Sequence, residues 1–242
     1  LFGAGTVTVN VLDRNEAPVV NDITISLPEN SPTGAAVGSP LVCTDQDVGQ
    51  SLSFTAVGGA NLAYFSIAGN GQITVKAGAV LNFESALNVL TLVVRCTDSD
   101  ASPLSDDATV TIRLTNVNEA PVLNDKTVTL NENSAVATVV AGTTALVTDV
   151  DAGDTHTYSI VSQTPAGVFR ILANDGTLEV RTATVDFETF DEHVVVVRAT
   201  DAGGLSDDAT ITIQVEDLNE APVIHDQARS VEENQNGAAV GL

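Results

Sequence analysis

The chain has few basic residues, few aromatic rings and almost no cysteine. Nine Lys and Arg stand against 32 Asp and Glu, a formal charge of −23. Such a surface repels a polyanion, so nucleic acid is excluded as a partner. Trp is absent and aromatic residues make up 4% of the chain, too few for a sugar-stacking platform. No run approaches the ~18 continuous apolar residues of a membrane-spanning helix, so no direct membrane contact is expected from this stretch. There is no Asn-x-Ser/Thr sequon and no opening signal peptide, the latter as expected of a piece that starts inside a module. His156, His193 and His225 are dispersed and have no convergent Ser or Cys partner. Each reads as a surface or strand residue, and zinc is disfavoured. No phosphate loop or nucleophile elbow is present, and no enzyme activity is expected.

What is present is repetition. Asn-Glu-Ala-Pro occurs at 15–18, 118–121 and 219–222, its prolines 103 and 101 residues apart. Glu29-Asn30, Glu132-Asn133 and Glu233-Asn234 follow each copy. Thr44-Asp45-Gln46-Asp47 matches Thr148-Asp149-Val150-Asp151, and Asn82-Phe83-Glu84 matches Asp186-Phe187-Glu188. Thr97-Asp98 matches Thr200-Asp201, and Leu104–Thr109 matches Leu205–Thr210. A short polar segment recurring at domain-sized spacing marks tandem modules and their joints. The expected division is two complete modules, 18–120 and 121–221. The last strand and linker of a preceding module (1–17) and the opening of a following one (222–242) flank them.

Acidity on this scale accompanies disorder when apolar residues are scarce, but 43% of this chain is hydrophobic and the apolar residues alternate. Ala108, Val110, Ile112 and Leu114 interleave with polar residues, as do Ala209, Ile211, Ile213 and Val215, and Val7, Val9 and Val11. Period-two, β-branched segments predict half-buried antiparallel strands. Further strands are expected near 22–27, 39–44, 51–57, 63–68, 72–76 and 88–97, with turns at Gly58-Gly59, Gly69-Asn70-Gly71, Asn174-Asp175-Gly176 and Gly203-Gly204. No amphipathic helix is expected. The fold class is all-β: tandem seven-stranded Greek-key β-sandwiches in a linear array.

The carboxylates gather where strands begin and end, and few have a basic neighbour in sequence. Like charges held together raise one another's pKa, and a hard cation relieves them. Calcium takes 6–8 oxygen ligands, and Asp-x-Asp in an irregular loop can turn both carboxylates to one ion. The bland alternative is ordinary turn chemistry, since Asp and Asn favour turns in any case; repetition of the whole set favours metal. Glu84 and Glu188 do not suit a glycosidase pair, because they occupy equivalent places in different modules.

Glu-Asn, Asp-x-Asp, (Leu/Val)-(Asp/Asn)-Phe-Glu, Thr-Asp and the Asn-Glu-Ala-Pro linker, in fixed order, closely resemble cadherin repeats. The linker form is similar to cadherin-like modules of microbial or protist surface proteins. The resemblance covers the whole chain. It implies calcium ions between successive modules that stiffen each joint. For the first joint it implies Asp13, Asn15, Glu16, Asp45, Asp47 and Asp98. For the central joint it implies Glu29, Glu84, Asn116, Asn118, Glu119, Asp149, Asp151 and Asp201. For the last it implies Glu132, Asp186, Glu188, Asp217, Asn219 and Glu220. The family usually has Asp where this chain has Asn82 and Asn116, so the central joint should bind calcium more weakly than the last. Cys43 and Cys96 each precede an implied ligand by two residues, on strands of opposite sheets. They are expected to form a disulfide across the sandwich in an oxidising compartment, the alternative being two buried thiols.

The resemblance implies an extracellular, cell-surface adhesion array, with identical or related chains as candidate partners. The absence of Trp excludes the tryptophan-exchange contact of some vertebrate cadherins within this stretch. The alternatives are a building block of an extracellular filament or appendage, or the non-catalytic stalk of a large secreted enzyme or polysaccharide-binding protein.

Overall fold

Alternation governs what forms. In the strand Ser105–Thr115, Ala108, Val110, Ile112 and Leu114 are buried and the intervening residues are not; in Ser206–Glu216, Ala209, Ile211, Ile213 and Val215 behave alike. Successive side chains of a strand point to opposite faces, so strict period-two patterning leaves one face for a core and one for water. The computed structural model describes residues 4–143 and 147–222, and among them every regular element is a strand.

The chain forms two compact units: 1–120 together with 149–154, and 121–148 together with 155–242. The first unit contains β1 (Val19–Val20), β2 (Ile23–Pro28), β3 (Ala36–Val37), β4 (Cys43–Thr44), β5 (Ser53–Gly58), β6 (Phe65–Ile67), β7 (Ile73–Val75), β8 (Val89–Thr97) and β9 (Ser105–Thr115). One sheet has the order β2-β9-β8-β5, with β2 parallel to β9 and the other pairs antiparallel. Facing it are β3-β7-β6 and the short pair β1-β4. The core between them holds Val37, Phe65, Ile73, Leu90, Leu92, Val94, Val110 and Ile112.

The second unit repeats the plan with β10 (Val122–Leu123), β11 (Lys126–Asn131), β12 (Val147–Thr148), β13 (Thr157–Thr164), β14 (Phe169–Ile171), β15 (Leu178–Val180), β16 (Glu192–Thr200) and β17 (Ser206–Glu216). Its large sheet is ordered β11-β17-β16-β13, again with one parallel pair, β11 with β17. Phe169, Leu178, Val195, Val197, Ile211 and Ile213 fill its core.

Two expected strands differ. Of the stretch near 39–44 only β4 is strand, paired with β1, while β3 ends before it at Val37 and pairs with β7. Gly38, at φ +63°, turns the chain, and Pro40 has no N–H to continue a ladder. Residues 4–12 carry no strand despite the alternation of Val7, Val9 and Val11, and Val11 is 93% exposed. Alternation makes a strand only where a neighbouring strand accepts it, and among the described residues none pairs with this segment. The opening of a following module, with Glu233-Asn234, lies outside the described residues.

Cys43 of β4 and Cys96 of β8 are joined by a disulfide, their Cα atoms 6.6 Å apart. It ties the small β1-β4 sheet to the large one within the first unit. The second unit has Val147 and Ala199 in the same places.

Candidate metal centre

At the end of each sandwich where the parallel pair finishes, one glutamate is buried. Glu29 follows β2 and is 2% exposed; Glu132 follows β11 and is 1% exposed. The Glu29 carboxylate accepts the N–H groups of Phe83 (2.7 Å) and Val117 (2.9 Å). Glu132 accepts those of Phe187 (3.1 Å) and Leu218 (2.6 Å). Each glutamate thus pins the Asn/Asp-Phe-Glu loop and the linker after the last strand. Asn30 and Asn133, the next residues, adopt left-handed backbone (φ +54° and +56°), a conformation Asn tolerates better than most residues. Their amide groups donate to Glu119 and Glu220 of the linkers. This accounts for the recurrence of Glu-Asn as a pair.

Around these anchors the carboxylates converge. Ligand oxygens of Glu29, Glu84 and Glu119 lie within 4.8 Å of one another, as do those of Glu132, Asp186 and Glu188. Glu84 and Glu119 are both raised above the ordinary carboxylate pKa. Partial desolvation is the main cause for each, and Glu29 and Asp151 add repulsion. Glu188 is raised too: its backbone hydrogen bond pulls it down, while desolvation, Glu132, Asp186 and Glu220 push it up further. Asp186 is lowered, chiefly by the Thr189 hydroxyl at 2.8 Å. Among the described residues none of these six is ion-paired to Lys, Arg or His. Asn133, Asp186, Glu188, Asp217, Asn219 and Glu220 line one open hollow of the second unit.

The first unit's contacts include the segment Asp149–Asp154. Asp151 accepts the Asn116 amide (2.7 Å) and the Glu119 N–H (2.8 Å), and Asp149 accepts the Asp151 N–H (3.0 Å). The second Glu119 oxygen, Oε2, is buried with no hydrogen-bond partner.

The first-joint residues form a second set in the same unit. Asp13, Glu16 and Asp47 bring ligand oxygens within 4.8 Å. Asp47 accepts the Glu16 N–H (2.9 Å) and Asp45 accepts the Asp47 N–H (2.9 Å). Asp98, 4% exposed, accepts the Asn15 amide (3.1 Å). Glu16 is raised in pKa by desolvation, then by Asp47, Asp13 and Asp45. Asp45 Oδ2 and Gln50 Oε1 are buried without a partner. In the second unit, Asp201 directly follows β16, is 6% exposed and accepts the Leu205 N–H (2.8 Å).

Crowded carboxylates, carboxamides and orphaned buried oxygens form an all-oxygen donor set that suits a hard divalent cation. Buried polar atoms are normally satisfied, and the orphans here lie on Asp45, Gln50 and Glu119. Gln50 was missed by motif reading. It closes the Asp-x-Asp loop and donates to Asn15 Oδ1 at 2.7 Å, and Asp154 stands in its place in the second repeat of that loop. The signal available was its position five residues after Asp45.

The repeated Asp-Asp pair at 106–107 and 207–208 serves the fold. Asp106 and Asp207 accept the N–H groups of Val20 (3.0 Å) and Leu123 (2.9 Å), holding the strands that follow each linker. Asp107 and Asp208 make bidentate pairs with Arg95 and Arg198.

The family model for the Cadherin domain matches residues 126–216. The chain is 28% identical over 229 residues to mouse (Mus musculus) "Protocadherin Fat 4", covering 90% of this chain and 4% of that protein. It is 28% identical over 229 residues to human (Homo sapiens) "Protocadherin beta-1", covering 88% and 27%. The chain therefore spans a small part of these relatives. Among solved structures it resembles human Protocadherin-24 EC1-2, with a TM-score of 0.65 and 24% identity over 85% of this chain and 100% of that one. At that identity the likeness speaks for the fold. With two sandwiches of one plan, residues 126–216 match the Cadherin domain model, and the chain aligns over most of its length with cadherins at 28% identity.

Proposed function

We propose that this chain is part of an extracellular adhesion or structural array whose linkers are stiffened by calcium. One observation carries the reading most directly. Three carboxylates converge around the buried glutamate at the same end of both sandwiches, without cationic partners among the described residues, and Glu119 of the first unit's set has a buried orphan oxygen. In this reading 18–120 and 121–221 are successive repeats, 1–17 belongs to a preceding one and 222–242 opens a following one. The central ions are held by Glu29, Glu84, Asn118, Glu119, Asp149, Asp151 and Asp201, with Asn116 supporting Asp151. The last set is Glu132, Asp186, Glu188, Asp217, Asn219 and Glu220. The first is Asp13, Asn15, Glu16, Asp45, Asp47 and Asp98. Bound calcium supplies positive charge and a shared coordination sphere. The chain's own part is to hold the carboxylates close at a cost in repulsion, so that each linker is free without the ion and fixed with it.

Extracellular modules commonly bind calcium at about 10⁻⁴–10⁻³ M, which suits a permanently loaded structural part. Identical or related chains are the candidate partners. The test is thermal unfolding and small-angle scattering of the chain in millimolar calcium and in chelator. The expected result is a higher melting temperature and a narrower, more extended size distribution with calcium. Identical melting and identical maximum dimension in both conditions would sink the reading.

A further inference from the structure

One ionisable group takes no part in the carboxylate sets, and its surroundings are unusual. His193 lies on β16 in register with Val195, Val197 and Ala199, and like them it faces the core, 1% exposed. Neither Nδ1 nor Nε2 has a hydrogen-bond partner. The imidazole stands nearly perpendicular to the Phe169 ring, with centroids 5.3 Å apart and an interplanar angle of 83°, and Phe190 covers it at 6.2 Å. Its strand partner on β17 is Ile213. In the first unit the same position is Leu90, also 1% exposed and opposite Ile112. The site is therefore built for an apolar side chain, and the second unit fills it with a base.

We propose that His193 makes the second unit acid-labile while leaving the first unaffected. A neutral imidazole fits this pocket as a flat ring against Phe169. A protonated one would place a charge and two unmet N–H donors in an apolar core, which is among the costliest burials a protein can make. No neighbouring element offers compensation. Burial is the only cause acting on the group, and it holds the imidazole below its ordinary value. On β14 and β15, Arg170 is paired with Glu179. In the segment before β16 lie Asp186, Glu188 and Asp191, and beside it is Glu192. None of these contributes.

The sign follows from linkage. The unfolded chain takes up the proton near the ordinary histidine value of about 6.5, and the folded unit only at lower pH. The stabilising preference for the neutral ring is present above about 6.5 and is lost as pH falls below it. The unfolding equilibrium constant rises by up to about tenfold per pH unit for this one proton. Residues 1–120 contain no histidine, so the first unit lacks the effect.

The experiment is hydrogen exchange of β16 and β17 against β8 and β9 between pH 7.5 and 5, in chelator, corrected for intrinsic exchange rates. The His193 ring is titrated by NMR in the same unsubstituted chain. The expected result is a His193 ring that titrates in the folded state below its ordinary value of about 6.5, with protection of the second unit falling relative to the first. His193→Leu, which copies Leu90, should abolish the part of that fall due to this residue. A folded-state His193 that titrates at its ordinary value overturns the proposal, whether or not the variant folds. A His193→Leu protein with unchanged acid dependence overturns it as well.

Discussion

The two units share a topology but are reinforced differently. The first has a disulfide between Cys43 and Cys96, where the second has Val147 and Ala199. At the end where the parallel pair finishes, the first has Asn82 and Asn116 where the second has Asp186 and Asp217. In its core it has Leu90 where the second has His193. The anchoring glutamates, Glu29 and Glu132, are alike down to their two backbone partners. What recurs is therefore what positions the loops; what varies is what strengthens or sensitises each sandwich. The first unit carries a covalent brace and, at this end, two carboxamides where the second has carboxylates, so the second's end depends more on whatever neutralises it.

The largest expected effect removes the brace. Replacing Cys43→Val together with Cys96→Ala copies the second unit's own pair. The bond spans 53 residues of sequence, so its loss should cost the first unit roughly 4 kcal/mol by the loop-entropy relation. Chemical denaturation followed by hydrogen exchange on β8 and β9 reads this, with β16 and β17 as the internal control. A loss equal in both units would mean that the bond does not act locally.

Next in size is the feature the units have in common. Glu29→Ala leaves the Phe83 and Val117 N–H groups without their acceptor, and Glu132→Ala does the same to Phe187 and Leu218. Each stranded donor costs about 1–3 kcal/mol. Two donors would cost about 2–6 kcal/mol, and relief of repulsion among the crowded carboxylates offsets part of that, so each substitution should destabilise its own unit by roughly 2–4 kcal/mol in chelator. If either variant is as stable as the parent without metal, these glutamates are ligands only and the structural role assigned to them is wrong.

How far the sequence reveals this depends on whether a feature is local. The inward faces of β9 and β17 follow from alternation alone, because each strand supplies its own period. The division at Gly38 and Pro40 is also written locally, in a turn-former beside a residue without an N–H. Residues 4–12 show the limit: their alternation resembles that of a strand, but pairing is a property of the neighbour. His193 was readable in principle. The strand reading of it holds, and its parity with Val195, Val197 and Ala199 places it on the buried face, which residue type alone does not suggest. The Asp106 and Asp207 clasps reach Val20 and Leu123, more than 80 residues away in sequence. Only tertiary structure separates these fold-building carboxylates from the crowded ones.

The difference in carboxylate number gives a smaller, sharper test. Asn82→Asp with Asn116→Asp should bring the central set up to the last, tightening calcium binding about tenfold, or roughly 1.4 kcal/mol. The converse pair, Asp186→Asn with Asp217→Asn, should weaken the last set. Asn116 now donates to Asp151, so an aspartate there replaces an attraction with a repulsion. The same double variant should therefore be less stable than the parent in chelator and more stable in calcium. Titration calorimetry reads the first effect and melting in both conditions the second. Unchanged calcium affinity would show that neither position contributes to the ion.

The smallest expected effect is on pH, and it has opposite signs with and without metal. Glu84 and Glu119 are raised above the ordinary carboxylate value, mainly by partial desolvation and further by their acidic neighbours. A folded-state pKa above the unfolded one means that the folded unit binds the proton more tightly. In chelator, the first unit should gain stability as pH falls from 7 towards the unfolded carboxylate range near 4.3. The lowered Asp107, held by Arg95, acts in the opposite direction but only at still lower pH. In saturating calcium the proton competes with the ion for the same oxygens, so the same change of pH should lower stability. Melting of the first unit at pH 7 and pH 5, with calcium and with chelator, therefore gives a crossed pair of slopes. Parallel slopes would mean that proton and metal do not share these carboxylates, and the crowding of Glu29, Glu84 and Glu119 would then need another explanation.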